Sequence, residues 1–211
     1  MPIAKSPYSA SFTAASLMLN ETKVVVAMLL EDNSKETKKK LKEDVQYLKI
    51  KSVAARERVT IELAKRFDTM TPSFWREFLE QPEDQQRVSL FYVVLKTYKL
   101  LFEFQVNVAL PKFNSIDRAV DLGEVLMALN EIAANDEYVD GWTDETRKKI
   151  ASTYLTMLKQ AGMINESTGE LQEPAVSDDY LAQYIRTGEM WFLQACFFPQ
   201  YKIEQIKQLA I

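Results

Sequence analysis

Apolar residues recur along this chain mainly with the three- and four-residue spacing of an α-helix. In Glu21–Glu31 they share one helix face, at Val24, Val25, Met28 and Leu29. A later segment opens at Ser52 and places one at every fourth position, at Ala55, Val59, Leu63 and Phe67. The segment Glu83–Leu110 is apolar nearly all round, which predicts a buried central helix with a break in it. The pattern therefore predicts an all-α fold, a helical bundle.

Residues that cap helices stand at the borders of these segments. Ser34 would begin a helix that runs to about Tyr47, and Ser52 would begin the next one. Two helices with a short connection fit a helix-turn-helix-like element, whose second helix presents its N-terminal turn to DNA. Further starts are indicated at Thr71-Pro72, at Asp117 or Asp121, and at Thr143.

The punctuation also suggests how the chain is divided. We predict an N-terminal helical unit over residues 1–70 and a helical bundle over residues 71–211, with one continuous globule as the alternative. In the second part, Met163-Ile164 and Glu170-Leu171-Gln172 flank Asn165–Gly169, which predicts a small hairpin. A helix followed by a hairpin gives this C-terminal part a winged-helix-like order.

The charge of the chain is unevenly distributed. Its net charge is −4, yet Lys35–Arg66 carries eleven Lys or Arg residues against five acids. An anionic partner meets the local field and not the average, so this stretch predicts a face that binds a polyanion. A solvated charged face on an ordinary bundle is the alternative.

Two groups of residues are candidates for contacts with DNA. The first lies in the basic stretch and comprises Lys38, Lys39, Lys40, Lys49, Lys51, Ser52 and Arg56. Arg56 falls within the apolar arc of its helix, but it stands in the first turn and could project beyond the helix end. The second group, Arg147, Lys148 and Lys149, opens the helix that begins at Thr143. Because lysines dominate both groups, we expect contacts mainly with phosphates.

Several classes of catalytic site are excluded by composition. There is no histidine, and the single cysteine, Cys196, allows neither a disulfide framework nor a cysteine-cluster zinc site. No Gly-rich phosphate loop occurs. The adjacent carboxylates Asp178-Asp179 follow a capping Ser177 and fit a helix start. We therefore predict a protein that is not an enzyme and needs no cofactor or metal.

The apolar segments also bear on location and on packing. None reaches the roughly 20 residues that a membrane span needs, which predicts a soluble, cytoplasmic protein, and we expect a monomer. Aromatic residues near the C-terminus are expected to pack in the core, with a partner-binding patch as the alternative; they are Trp191, Phe192, Phe197 and Phe198. Core packing is also expected for Phe91, Tyr92 and Phe102, although aromatic rings can stack on bases.

The order of several short motifs resembles the BrxA family of BREX (bacteriophage exclusion) phage-defence systems. The likeness covers about Tyr8 to Phe198, and the segments that carry it are Tyr8–Leu30, Lys51–Arg56, Phe74-Trp75, Trp142-Thr143, Thr146–Lys149 and Leu158–Ile164. Val53 stands where the family has Pro, and both fit the first turn of a helix. The resemblance implies a small, all-helical, cytoplasmic accessory protein that has helix-turn-helix-like elements, binds DNA and has no enzymatic activity.

The lysines leave the class of partner open. The first hypothesis is an accessory protein that binds double-stranded DNA, with RNA binding as a variant. The second is a protein-interaction subunit whose basic face meets an acidic partner among the other BREX proteins. Both functions require the same residues.

Overall fold

The computed structural model describes residues 6–209, and its regular structure is helical. Within that range no β-strand forms, so the predicted all-α class is confirmed. The helices gather into two compact units. We call Ser9–Tyr98 the N-terminal unit, and residues 6–8 together with residues 99–209 the C-terminal unit.

The N-terminal unit begins with a 3₁₀ turn, Ser11–Ala14. Its helices are α1 (Leu19–Glu31), α2 (Lys35–Glu43), α3 (Val45–Leu48), α4 (Val53–Thr69), α5 (Pro72–Glu80) and α6 (Glu83–Thr97). The predicted caps begin three of them, because the hydroxyls of Ser34, Ser52 and Thr71 accept hydrogen bonds from backbone N–H groups three residues further on. Each bond satisfies a donor that a helix start leaves free.

Trp75 lies at the centre of the N-terminal core. Its ring stacks on Phe67 with centroids 5.8 Å apart and meets Phe78 edge-on at 5.5 Å. The buried indole N–H donates to the Phe67 carbonyl over 2.9 Å, so its polar atom has a partner. Phe67 and Trp75 lie on either side of residue 70 and share one core. The division near residue 70, with one continuous globule as its alternative, stays a prediction that limited proteolysis would test.

Helix α6 is the buried central element that its sequence predicts. Residues 88–95 are all buried, so Phe91 and Tyr92 are core residues. Full burial of Phe102, expected with them, is wrong, because Phe102 is 36% exposed. The helix ends where Tyr98 adopts an extended conformation, with φ −126° and ψ 106°, which confirms the expected break. The Tyr98 hydroxyl donates to the Glu62 carboxylate of α4. The break thus gives a buried phenol a partner on a neighbouring helix.

The C-terminal unit contains shorter elements. They are α7 (Lys99–Phe104), a π-helical turn (Gln105–Ala109), α8 (Leu110–Phe113), α9 (Leu122–Ala133), α10 (Glu137–Asp140), α11 (Asp144–Gln160), α12 (Asp178–Arg186), α13 (Trp191–Ala195) and α14 (Gln200–Leu209). Asp121, one of the two predicted caps, begins α9 with a reciprocal capping box to Glu124. Gly162 follows α11 with φ 72°, a conformation that glycine adopts without strain.

Aromatic residues near the C-terminus form most of the core contacts predicted for them. Phe192, Phe197 and Phe198 are buried, at 0%, 2% and 7% exposure. Trp191 is only half-buried: its ring meets the edge of Phe102 at 5.3 Å, and its indole N–H donates to Glu189. The core interpretation is thus confirmed for the three phenylalanines.

The predicted hairpin is reduced to a single antiparallel bridge between Ile164 and Leu171. The Asn165 N–H donates to the Glu170 carbonyl over 2.8 Å, and the Asn165 side-chain oxygen accepts from the N–H groups of Ser167 and Thr168. These bonds make a tight turn without strands, so a winged-helix-like part stays a prediction. No helix within residues 6–209 combines the length and apolarity needed to cross a bilayer.

Candidate nucleic-acid interface

Helix α2 carries most of the lysines, and short polar side chains fix its start. The Asp32 carboxylate accepts hydrogen bonds from the hydroxyls of Ser34 and Thr37, both over 2.6 Å. These bonds hold the pKa of the Asp32 carboxyl below its ordinary 3.8. Lys39 and Lys40 are exposed on the helix that begins here.

The helix predicted to run from Ser34 to about Tyr47 is shorter in the structure. Helix α2 ends at Glu43, and the side chain of Asp44 accepts a hydrogen bond from the Gln46 N–H over 2.8 Å to begin α3. Lys49 then adopts a left-handed conformation with φ 55°. Residues 44–52 separate α2 from α4, whereas a common helix-turn-helix uses roughly three or four. A helix-turn-helix function therefore stays a prediction.

Arg56 does not project into solvent as expected. Arg56 is 4% exposed, and its guanidinium donates to four backbone carbonyls. The bonds run to Lys42 over 2.9 Å, to Glu43 over 3.0 Å, to Ile50 over 2.6 Å and to Lys51 over 3.0 Å. The expectation that Arg56 projects beyond the helix end is wrong, because carbonyl groups occupy its donors. Its contact with DNA stays a prediction.

The role of Arg56 is instead to hold the connection between α2 and α4. Its guanidinium links the end of α2 to the backbone before α4, because it bonds to carbonyls on both sides of α3. Lys49, Lys51 and Ser52 remain exposed on the backbone that it fixes. The Ser52 hydroxyl caps α4 by accepting from the Ala55 N–H over 3.3 Å.

A second arginine of the basic stretch, Arg66, is also buried. Its Nε atom donates to the Glu62 carboxylate over 3.0 Å, and the two side chains are 1% and 2% exposed. Its other nitrogens donate to the carbonyls of Ala15 and Ser16. Glu62 and Arg66 stand four residues apart, a spacing that brings two side chains together on one helix face.

The accessible part of Lys35–Arg66 remains strongly basic. With Arg56, Arg66 and Glu62 buried, nine basic side chains and four acids are left there at least partly exposed. Its ion pairs are long: Nζ–O distances are 3.9 Å for Lys38–Asp68, 4.0 Å for Lys39–Glu43 and 3.8 Å for Lys42–Glu57. Exposed pairs of this kind contribute about 0–1 kcal/mol, so the amines stay available to a ligand. We call these nine basic residues the basic face: Lys35, Lys38, Lys39, Lys40, Lys42, Lys49, Lys51, Arg58 and Lys65.

The second candidate group belongs to the C-terminal unit, and its arginine is also held in contacts within the protein. The Arg147 side chain is 16% exposed and donates to the Asn130 amide oxygen over 2.8 Å and to the Asp140 carbonyl over 2.9 Å. It therefore links α9, α10 and α11. Lys148 and Lys149 are exposed, but they follow the acids Asp144 and Glu145. The local charge is thus much weaker than on the basic face.

No group of three or more acidic or cysteine side chains that could hold a metal ion occurs in the described part of the chain.

A family model for BrxA matches residues 6–187 of the 211. The chain belongs to the BrxA family. This family member is 22% identical over 195 residues to the BREX protein BrxA of Paramagnetospirillum magneticum. The aligned region covers 92% of this chain and 98% of that one. The matched range contains both candidate groups and ends before α13.

A solved structure has the same fold as this BrxA-family member. It is the crystal structure of an uncharacterized protein from Magnetospirillum magneticum, with a TM-score of 0.77 and 20% sequence identity. The similarity covers 90% of this chain and 98% of that one. The helical arrangement is thus found in an experimental structure.

Proposed function

We propose that this BrxA-family protein is an accessory component of a BREX phage-defence system and that it binds double-stranded DNA. Family membership and the name of the Paramagnetospirillum relative support the place in a BREX system. The contacts with DNA would lie on the basic face, at Lys38, Lys39, Lys40, Lys49, Lys51 and Ser52, with Lys148 and Lys149 as a secondary group. Arg56 and Arg147 would support the backbone from within.

The observation that carries this proposal is the set of exposed amines around α2 and the start of α4. Lys49, Lys51 and Ser52 precede the N-terminus of α4, where backbone N–H groups and the helix dipole favour a phosphate. Few amide side chains stand beside these lysines to read base edges. We therefore expect weak sequence selectivity and a strong dependence on salt.

A titration of labelled DNA duplexes over a salt series tests the proposal. If about four phosphates are neutralised, log K should fall against log salt with a slope near −3.6, at about −0.9 per phosphate. A permuted duplex should bind alike, whereas RNA duplexes and single strands would reveal an RNA ligand. A flat salt dependence would contradict the proposal.

Charge reversal locates the site. Lys49→Glu with Lys51→Glu should weaken binding to all duplexes, because both amines lie on the basic face. Arg76→Glu with Lys96→Glu is the matched control, since both residues are exposed in the same unit on other helices, α5 and α6. Equal losses from both pairs would indicate diffuse attraction and no defined site.

We assign no reaction to this protein. The sequence has no histidine, and burial raises the pKa of the Cys196 thiol well above its ordinary value, which disfavours the reactive thiolate. Turnover of DNA or of a nucleotide by the pure protein, abolished by one point substitution, would contradict this part of the proposal.

A further inference from the structure

A groove of about 340 Å³ runs between α2 and α4 on the basic face. Lys38 and Lys42 line it from α2, and the lining residues of α4 are Thr60, Ile61, Ala64, Lys65 and Asp68. All of these belong to the N-terminal unit. The lysine stems, Ala64 and Ile61 make its surface mainly apolar.

Ile61 is the unusual residue of this groove. It is 54% exposed although it is a large aliphatic side chain in the middle of a basic helical face. The phosphates that the basic face would hold offer an aliphatic side chain no apolar contact. An exposed isoleucine in a concave surface instead fits the apolar side chain of another protein.

The charges around the groove indicate that the segment bound there is negatively charged. Three of the seven lining residues are lysines, and Asp68 is the single acid among them. The Lys38 amine reaches Asp68 at 3.9 Å, while the Lys42 amine reaches Glu57 at 3.8 Å. Such long, exposed pairs exchange readily for a carboxylate supplied by a ligand.

We propose that this groove docks an acidic amphipathic segment of a partner protein. An aliphatic side chain of the segment packs on Ile61 and Ala64, and its carboxylates meet the amines of Lys38 and Lys42. The inference is independent of DNA binding, because it rests on the apolar surface that a phosphate does not use. Lys38 belongs to both sites, so the segment and duplex DNA compete.

Synthetic peptides of one length test the docking without an identified partner. The probe is a fluorescein-labelled repeat of Glu-Glu-Leu-Leu; one control peptide has Ser for every Leu, and another has Lys for every Glu. In fluorescence anisotropy at fixed salt, the probe should bind at least about tenfold more tightly than the Ser peptide, the factor expected from burying one aliphatic side chain. The Lys peptide should not bind.

Two variants of the full chain locate the groove. Ile61→Asn should remove the advantage of the probe over the Ser peptide. Val53→Asn is the matched control, because Val53 is a β-branched residue on the same helix, is 63% exposed and does not line the groove. Ile61→Asn should not change the affinity for duplex DNA by more than about twofold, a difference well under 1.4 kcal/mol.

Three outcomes would overturn the inference. Equal binding of the probe and the Ser peptide would mean attraction by charge alone. Equal binding of the probe and the Lys peptide would mean a generic apolar surface. Unchanged probe binding in Ile61→Asn would place the contact elsewhere. If DNA does not bind in the titration above, the three peptide tests remain valid. The DNA-binding proposal and the docking proposal can therefore fail separately.

Discussion

The Arg66 guanidinium bonds to the Glu62 carboxylate in a pocket where the two side chains are 1% and 2% exposed. The same carboxylate also accepts from the Tyr98 hydroxyl. Desolvation, followed by the charge of Glu62, raises the pKa of Tyr98 above its ordinary 10.0. One acid on α4 thus joins an arginine of its own helix to the residue that ends α6.

Breaking this pair should strongly destabilise the protein. Arg66→Met should cost about 3–5 kcal/mol in the free energy of unfolding, because it leaves an uncompensated buried carboxylate. Glu62→Gln with Arg66→Met should cost less than Arg66→Met alone, since no net charge remains buried. Urea unfolding of the single and double variants measures the coupling. A loss below about 1 kcal/mol for Arg66→Met would place the pair with exposed ion pairs.

Arg56 should behave as a structural residue and not as a DNA contact. Arg56→Lys should lower the free energy of unfolding by about 2–3 kcal/mol, because an amine cannot reach the carbonyls on both sides of α3 and leaves some without a donor. The change keeps the charge, so any loss of DNA affinity should follow the loss of structure. Urea unfolding and anisotropy on the same sample decide this. Weaker DNA binding with an unchanged urea midpoint would restore Arg56 to the interface.

The buried hydroxyl of Thr60 should be dispensable. Thr60 is 1% exposed, and its Oγ1 atom has no hydrogen-bond partner among the described residues. Thr60→Val keeps the shape and removes a polar atom whose unsatisfied burial costs about 1–3 kcal/mol, so the melting temperature should hold or rise.

Thr37→Val is the matched control for that substitution, because Thr37 is 6% exposed and its hydroxyl donates to Asp32 over 2.6 Å. It should lower the melting temperature. The prediction for Thr60 is wrong if both variants lose stability equally.

The support that Asp32 gives to the start of α2 should depend on pH. The folded pKa of Asp32 is lowered below its ordinary 3.8, so its contribution to stability is present above that pH and is lost as pH falls through the lower, folded pKa. Asp32→Asn should therefore lower the melting temperature at pH 7 and change it much less near pH 2. Thermal unfolding at both pH values measures this. An equal difference at both would assign the effect to shape and not to charge.

The sequence predicts the helix caps of this fold but not the burial of Arg66, because the two depend on interactions of different range. Ser34, Ser52 and Thr71 act on N–H groups three residues away, so the sequence around each contains the full interaction. The burial of Arg66 depends instead on carbonyls of Ala15 and Ser16, which are about fifty residues distant. Helical periodicity depends only on which side chains are polar. It carries no information on hydrogen-bond acceptors that a distant segment of the chain supplies.

The candidate site divides in the same way. Its lysines could be predicted because long, hydrated side chains remain at the surface in almost any helical packing. Arg56 could not be assigned, because its direction depends on whether the chain after α2 turns back over it. Asp44 and the left-handed Lys49 produce that turn, and neither interrupts the apolar pattern strongly.

The four carbonyl bonds of Arg56 would also reduce the entropy cost of binding a ligand on the basic face. They tie the backbone of Lys42 and Lys51 to one rigid, planar group, so the backbone that carries the neighbouring lysines is already fixed in the free protein. A basic segment without this anchor would lose backbone freedom each time it met a ligand. Here that freedom is given up once, when the chain folds, and association has only the lysine side chains left to order.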